Sequence, residues 1–145
     1  MYIVFENEDK TIGIIVPSNE YSQNLEALAM KDVPEGLSYK IVERLPDNGA
    51  FRNSWKIHEN EIVFNLNKAR EIKRNMIRKE RIPIFQELDL QVNREIPKAI
   101  LSGNNKIIEE LEKKKQSLRD APANLKIENA KTIEELMIIT IKDLI

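Results

Sequence analysis

The spacing of apolar residues changes once along this chain, near residue 65, and that change narrows the fold more than any other feature. Before it, apolar residues sit in short β-branched and aromatic runs. After it, they recur every three or four positions, the period of an α-helix. Tyr2-Ile3-Val4-Phe5 and Thr11-Ile12-Gly13-Ile14-Ile15-Val16 flank the polar Glu6-Asn7-Glu8-Asp9, which reads as a β-hairpin stopped by Pro17. Leu25, Leu28 and Ala29, within residues 24–31, predict one short helix, broken at Pro34-Glu35-Gly36. Tyr39-Lys40-Ile41-Val42 and Glu61-Ile62-Val63-Phe64 predict two more strands, with a turn at Pro46-Asp47-Asn48-Gly49 between them. The economical reading is a small, mostly antiparallel sheet with one short helix.

The rest reads as helical. Asn67 is placed to cap a helix running to about Arg81, with Ala69, Ile72 and Met76 on its apolar stripe. Pro83 starts a further segment through Ile84, Phe85, Leu88 and Val92, and Pro97 kinks or restarts it. Ser102-Gly103-Asn104-Asn105 is a turn. A helix over residues 106–118 follows, with Ile107, Ile108, Leu111 and Leu118 inward and Lys113, Lys114 and Lys115 mostly outward. Helix, short turn and helix predict an antiparallel helical hairpin, ended at Ala121-Pro122-Ala123. Thr132-Ile133-Glu134-Glu135 has capping-box spacing and opens a terminal helix with Ile133, Leu136, Met137, Ile141 and Leu144 inward. The β-branched Ile138-Ile139-Thr140-Ile141 leaves a strand there as the alternative. The expected class is α+β, with an α+β lobe at 1–65 and a helical lobe at 66–145.

Charge changes across the same boundary. Residues 1–60 carry 6 Lys/Arg and 10 Asp/Glu, a net of −4, and residues 61–145 carry 17 and 14, a net of +3. The whole chain has a net charge of −1, which gives a general nucleic-acid or membrane-surface binder no global attraction to work with. The absence of cysteine removes thiol nucleophiles and thiolate metal sites and fits a reducing compartment. No stretch approaches the roughly 20 apolar residues of a membrane span. The start, MYIVFENEDK, lacks the basic flank and the small-residue cleavage site of a signal peptide. A cytoplasmic protein is expected, one that a particle can later incorporate.

Catalytic signatures are scarce. His58 is the single histidine, so a histidine-rich metal site is ruled out and a serine triad would have to use this one residue. Ser54 is near it in sequence, but nothing resembles a nucleophile elbow. Gly13, Gly36, Gly49 and Gly103 are scattered and form no phosphate-cradling loop. Glu109 and Glu110 have Lys113 and Lys114 four residues on, an ordinary surface pairing. The reading is a protein without catalytic residues, metal or cofactor.

Two features point to binding. Lys68, Arg70, Lys73, Arg74, Arg78, Lys79 and Arg81 face only Glu71 and Glu80 in the same stretch, and Arg70, Lys73, Arg74 and Arg78 can share a broad helix face. That face suits an acidic protein surface or phosphates. It also suits plain solvation, or pairing with the acidic first half. Phe51, Arg52 and Trp55 follow the Pro46–Gly49 turn; aromatic and arginine side chains are favoured anchors, while a lone tryptophan there also serves as a core pin.

Four segments carry a family resemblance together: Lys31-Asp32-Val33-Pro34-Glu35-Gly36, Phe51-Arg52-Asn53-Ser54-Trp55, Asn67-Lys68-Ala69-Arg70-Glu71-Ile72 and Lys114-Lys115-Gln116-Ser117-Leu118-Arg119-Asp120-Ala121-Pro122. In this order and spacing, over about residues 30–137, the chain resembles small proteins encoded among bacteriophage and prophage tail genes. Its helical half resembles the C-terminal part of phage tail-fibre assembly proteins, where a Trp precedes two helices closed by a basic, Leu-containing segment. The chain departs from that pattern at Ile96-Pro97-Lys98, where a proline interrupts a continuous helix. The resemblance implies a tail-associated protein that docks onto tail-fibre or other tail proteins, as an assembly helper or a minor virion component. It implies residence in the host cytoplasm during assembly, and leaves retention in the virion and homo-oligomerisation open. The alternative is a nucleic-acid-binding regulator using the basic helix at 68–81.

Overall fold

Strand β1 (Tyr2–Glu6) is buried through Ile3, Val4 and Phe5, so both faces of it are covered. This explains its unbroken apolar run, because a strand buried on one side only alternates. β1 is the centre of a three-stranded antiparallel sheet, with β2 (Ile12–Ile15) on one side and β3 (Tyr39–Val42) on the other. Register places Ile3 opposite Ile15 and Ile41, and Val4 opposite Ile14 and Lys40. On the Ile3 face lies α1 (Leu25–Asp32), contributing Leu28 and Ala29 and capped by Asn24, whose side chain accepts the Ala27 N–H at 3.1 Å. On the Val4 face lies a second antiparallel pair, β4 (Trp55–His58) with β5 (Glu61–Phe64), which brings Trp55, Ile57, Ile62 and Phe64 against Val4, Ile12 and Val42. β4 is absent from the sequence expectation; its two-residue turn uses Glu59 at φ 53°.

Gly13 faces Phe5 across the β1–β2 pair. A Cβ at Gly13 would lie 2.4 Å from Phe5 Cζ and 2.5 Å from Cε2, so the ring packs directly over the glycine. Phe5 is buried, and a displaced ring has to leave the core or push its neighbours. Gly13→Ala is expected to cost about 1–3 kcal/mol, the usual penalty of overpacking. Chemical denaturation measures it; a neutral substitution would show that the ring moves freely.

The structure is a computed structural model describing all of Met1–Ile145, and it divides into two compact units, Met1–Ala69 and Arg70–Ile145. The boundary lies four residues beyond the one expected from sequence, inside a helix. That helix, α2, runs unbroken from Leu66 to Ser102, so the new segment expected to start at Pro83 and the restart expected at Pro97 do not occur. The cap is Asn65 rather than Asn67, since the Asn65 side chain accepts the Lys68 N–H at 3.1 Å. Each proline removes one helical hydrogen bond, from the carbonyl of Lys79 or Asn93. Both prolines and both of those residues are exposed, so water reaches the freed carbonyls and the helix tolerates them.

In the second unit α3 (Lys106–Asp120) returns antiparallel to α2 after the Gly103–Asn105 turn. Lys115 Nζ meets Asp89 at 2.8 Å. Hydrogen bonds to Asp89 and then Glu112 hold the Lys115 ammonium above the usual lysine range. Nearer the start of α2, Arg81 donates to the carbonyls of Leu118 (3.2 Å) and Arg119 (3.0 Å), closing the end of α3. Leu111 and Leu118 are inward as expected, whereas Ile107 is exposed. The terminal region is a set of short turns: a 3-10 turn at Ala121–Ala123, α4 (Leu125–Asn129), α5 (Ile133–Ile138) and a 3-10 turn at Ile141–Asp143. Thr132 caps α5 by accepting the Glu135 N–H at 3.2 Å, but Glu135 reaches back to the Lys131 N–H, one residue before the expected partner. The reciprocal capping box forms instead between Thr140 and Asp143. Ile133, Leu136, Ile141 and Leu144 are buried, and Met137 is half exposed.

Candidate functional site

The structure separates the residues singled out by sequence. Phe51 and Trp55 are in the core of the first unit, at 2% and 4% exposure, and only Arg52 of that cluster reaches solvent. Ser54 is buried too, with its hydroxyl donating to the Phe51 carbonyl at 2.6 Å, while His58 is exposed. No group of three or more His, Asp or Glu side chains is arranged to hold a metal ion, and no helix is long and apolar enough to cross a membrane.

The basic face of α2 is turned largely inward, onto the chain's own C-terminal turns. Arg70 Nη2 donates to the Ala130 carbonyl at 2.9 Å. Arg74 bonds Glu128 on α4 and lies 3.3 Å from Glu71. Arg78 bonds Glu71 at 2.7 Å and Asn75 at 2.6 Å. Lys73 is buried at 6% exposure. Of the pairing expected with the acidic first half, Lys68 helps the hydrogen bonds from Thr11 to hold the Asp9 carboxyl below its usual range, while the ion pairs of Arg74 and Arg78 lie within the second unit.

Lys73 now belongs to the core. Burial holds its ammonium below the ordinary lysine value of 10.5, with Glu80 and Asp143 opposing the shift. A lowered folded value means that the charge costs stability below it, and that the cost disappears as pH rises through the folded value toward 10.5. Lys73→Met is therefore expected to stabilise the second unit by about 1 kcal/mol at neutral pH. Urea unfolding at pH 7 and again at alkaline pH tests this: the gain should shrink at the higher pH. Destabilisation at pH 7 would show that the ammonium makes a net favourable contact.

Of the basic set Lys68, Arg78 and Lys79 stay exposed, and Arg74, Arg78 and Arg81 line, with Glu71, Arg119, Pro122 and Ala123, a shallow concavity of about 430 Å³. Arg78 and Arg119 are half exposed, with side-chain exposures of 44% and 48%. The lining has four guanidinium groups against one carboxylate, Glu71. Hydrogen bonding from Arg78, joined by Arg74, holds that carboxyl below the usual range, so it stays ionised and its charge is already shared. Arg119 Nη1 donates to Gln116 at 3.1 Å, and Arg81 and Arg119 both stand near the Phe85 ring, 5.8 and 6.0 Å from its centroid. Glu112, 4.0 Å from Arg119, is shared with Lys115 at 3.0 Å. Guanidinium groups present forked donors that suit anionic oxygens such as those of carboxylates and phosphates.

Arg81 and Arg119 were missed as a pair by sequence reasoning. Each stands in a segment flagged for other reasons, and only the antiparallel return of α3 brings them together. A second concavity, of about 750 Å³, lies in the first unit beside β3 and β5, lined in part by Val42, Glu43, Arg44, Leu45, Glu61 and Ile62. It holds no histidine and no hydroxyl nucleophile beside a base.

Comparison with known proteins yields no match: no family model, no curated protein and no solved structure matches the chain.

Proposed function

We propose that this protein is a bacteriophage tail-associated docking protein, acting without catalysis, either as a tail-fibre assembly helper or as a minor component retained in the particle. The observation that carries the docking role is the arginine-lined concavity between α2 and the end of α3. Arg74 is held by Glu128 and Arg81 by the carbonyls of Leu118 and Arg119, while the half-exposed Arg78 and Arg119 still present donors to the acidic side chains of a partner. The tail context rests on the resemblance of the four sequence segments described above. The protein then works in the host cytoplasm during assembly, and its presence in finished particles separates the two roles.

Co-purification with tail-fibre and baseplate subunits tests the proposal. A complex is expected, and Arg78→Glu with Arg119→Glu should release it without unfolding the chain, since both side chains are half exposed. Failure to form any complex with those subunits, together with absence from purified particles, overturns it. Salt-sensitive retention on DNA or RNA in place of tail subunits supports the regulator reading instead.

A further inference from the structure

The geometry points to a homodimer formed through the face of α2 that is turned away from α3. Along residues 82–101 the buried positions of the helix are Leu88 and Ala99, on the side from which Arg81 reaches the end of α3. Away from that side Ile82 (53%), Leu90 (51%), Ile100 (77%) and Leu101 (90%) stand in solvent. At 100° per residue Ile82 and Ile100 share one line along the helix, with Leu90 and Leu101 about 80–100° round from it on the side away from α3, and Asp89, which pairs with Lys115 of α3, about 20° from it on the other side. These four apolar side chains leave apolar surface on the order of a few hundred Å², more than scattered single residues expose and part of what a standard interface buries.

The charges on this face select a second copy as its occupant. Glu87 and Arg94 are exposed on the same flank of the helix, seven residues apart. In an antiparallel pair related by a twofold axis, like flanks meet. An axis beside Leu90 therefore sets Glu87 against Arg94 of the second copy, twice over. The same axis sets Ile82 against Ile100 of the second copy and the two Leu90 side chains against each other. It also brings Gln86 of the second copy level with the Asn93 carbonyl, which Pro97 deprives of its helical donor. One placement thus matches apolar residues to apolar residues, Glu87 to Arg94 and an amide donor to a free carbonyl, and the like charges it brings near each other, the two Asp89 carboxylates, are each offset by the Lys115 ammonium of their own chain at 2.8 Å. This surface is separate from the arginine concavity, and its test does not depend on the tail partner.

The full chain, examined by light scattering after size exclusion and by sedimentation, should be a dimer. Leu90→Asp with Ile100→Asp should make it monomeric while leaving circular dichroism and thermal unfolding of the monomer intact, because both residues are exposed. Glu87→Arg alone and Arg94→Glu alone should each raise the dimer dissociation constant about tenfold or more, and the double charge swap should restore it. A wild-type monomer at every soluble concentration overturns the proposal. So does a dimer that survives the two aspartates, or a double swap that stays as weak as the single changes.

Discussion

Replacing Trp55 by alanine should cost the first unit about 3–5 kcal/mol, enough to unfold much of it at physiological temperature. The side chain is 4% exposed and packs with Val4, Ile12 and Val42, at the contact between the β4–β5 pair and the three-stranded sheet. Its loss opens a cavity that strands pinned on both sides cannot collapse to fill. Trp55→Phe should be far milder. It keeps an aromatic ring and removes an indole N–H that is buried without a hydrogen-bond partner, a group that itself costs free energy. Arg52→Ala, on the exposed side of the same segment, should stay within about 0.5 kcal/mol. Denaturant unfolding of the three variants ranks them. If Trp55→Ala left the unfolding free energy unchanged and instead abolished partner binding, tryptophan would be the anchor and its burial misleading.

The second large effect is expected at Ile77. It is fully buried, and Ile77→Ala should destabilise the second unit by about 2–5 kcal/mol. Met76, its neighbour, is only half buried, and Met76→Ala should cost about 1 kcal/mol. The opposite ranking would mean that α2 is rotated by one residue about its axis. The contrast is informative because the sequence placed the stripe on Ala69, Ile72 and Met76. The buried line runs instead through Ala69, Lys73 and Ile77, at regular steps of four. A lysine within the stripe concealed its phase, since charged residues are seldom inside.

The hairpin of β1 and β2, helix α1, strands β3 and β5, and the turn between α2 and α3 were all legible before the structure. Each depends on neighbours a few residues away: alternation, an Asn cap, a glycine or proline break. β4 was not legible, because Trp55-Lys56-Ile57-His58 is too short and too mixed to signal a strand without β5 beside it. The end of α5 was ambiguous for the reason given by its residues. After Ile138 the β-branched run becomes extended, with Ile139 at φ −66° and ψ 123°, and a capping box at Thr140 starts a new turn. The prolines misled for another reason: their penalty depends on whether water reaches the freed carbonyl, which is a property of the surface.

The change of period near residue 65 did determine the α+β class and the order of sheet and helices, because local spacing sets which faces of each element are apolar. It did not determine what the basic residues of α2 meet. Arg70 reaches residue 130, Arg74 reaches residue 128, and Arg81 reaches residues 118 and 119. That Arg74 and Arg81 are tied to later turns while Arg78 stays half exposed beside Arg119 was decided by the path of the chain after Asn105. Packing of apolar side chains far apart in sequence sets that path, and no local pattern encodes it.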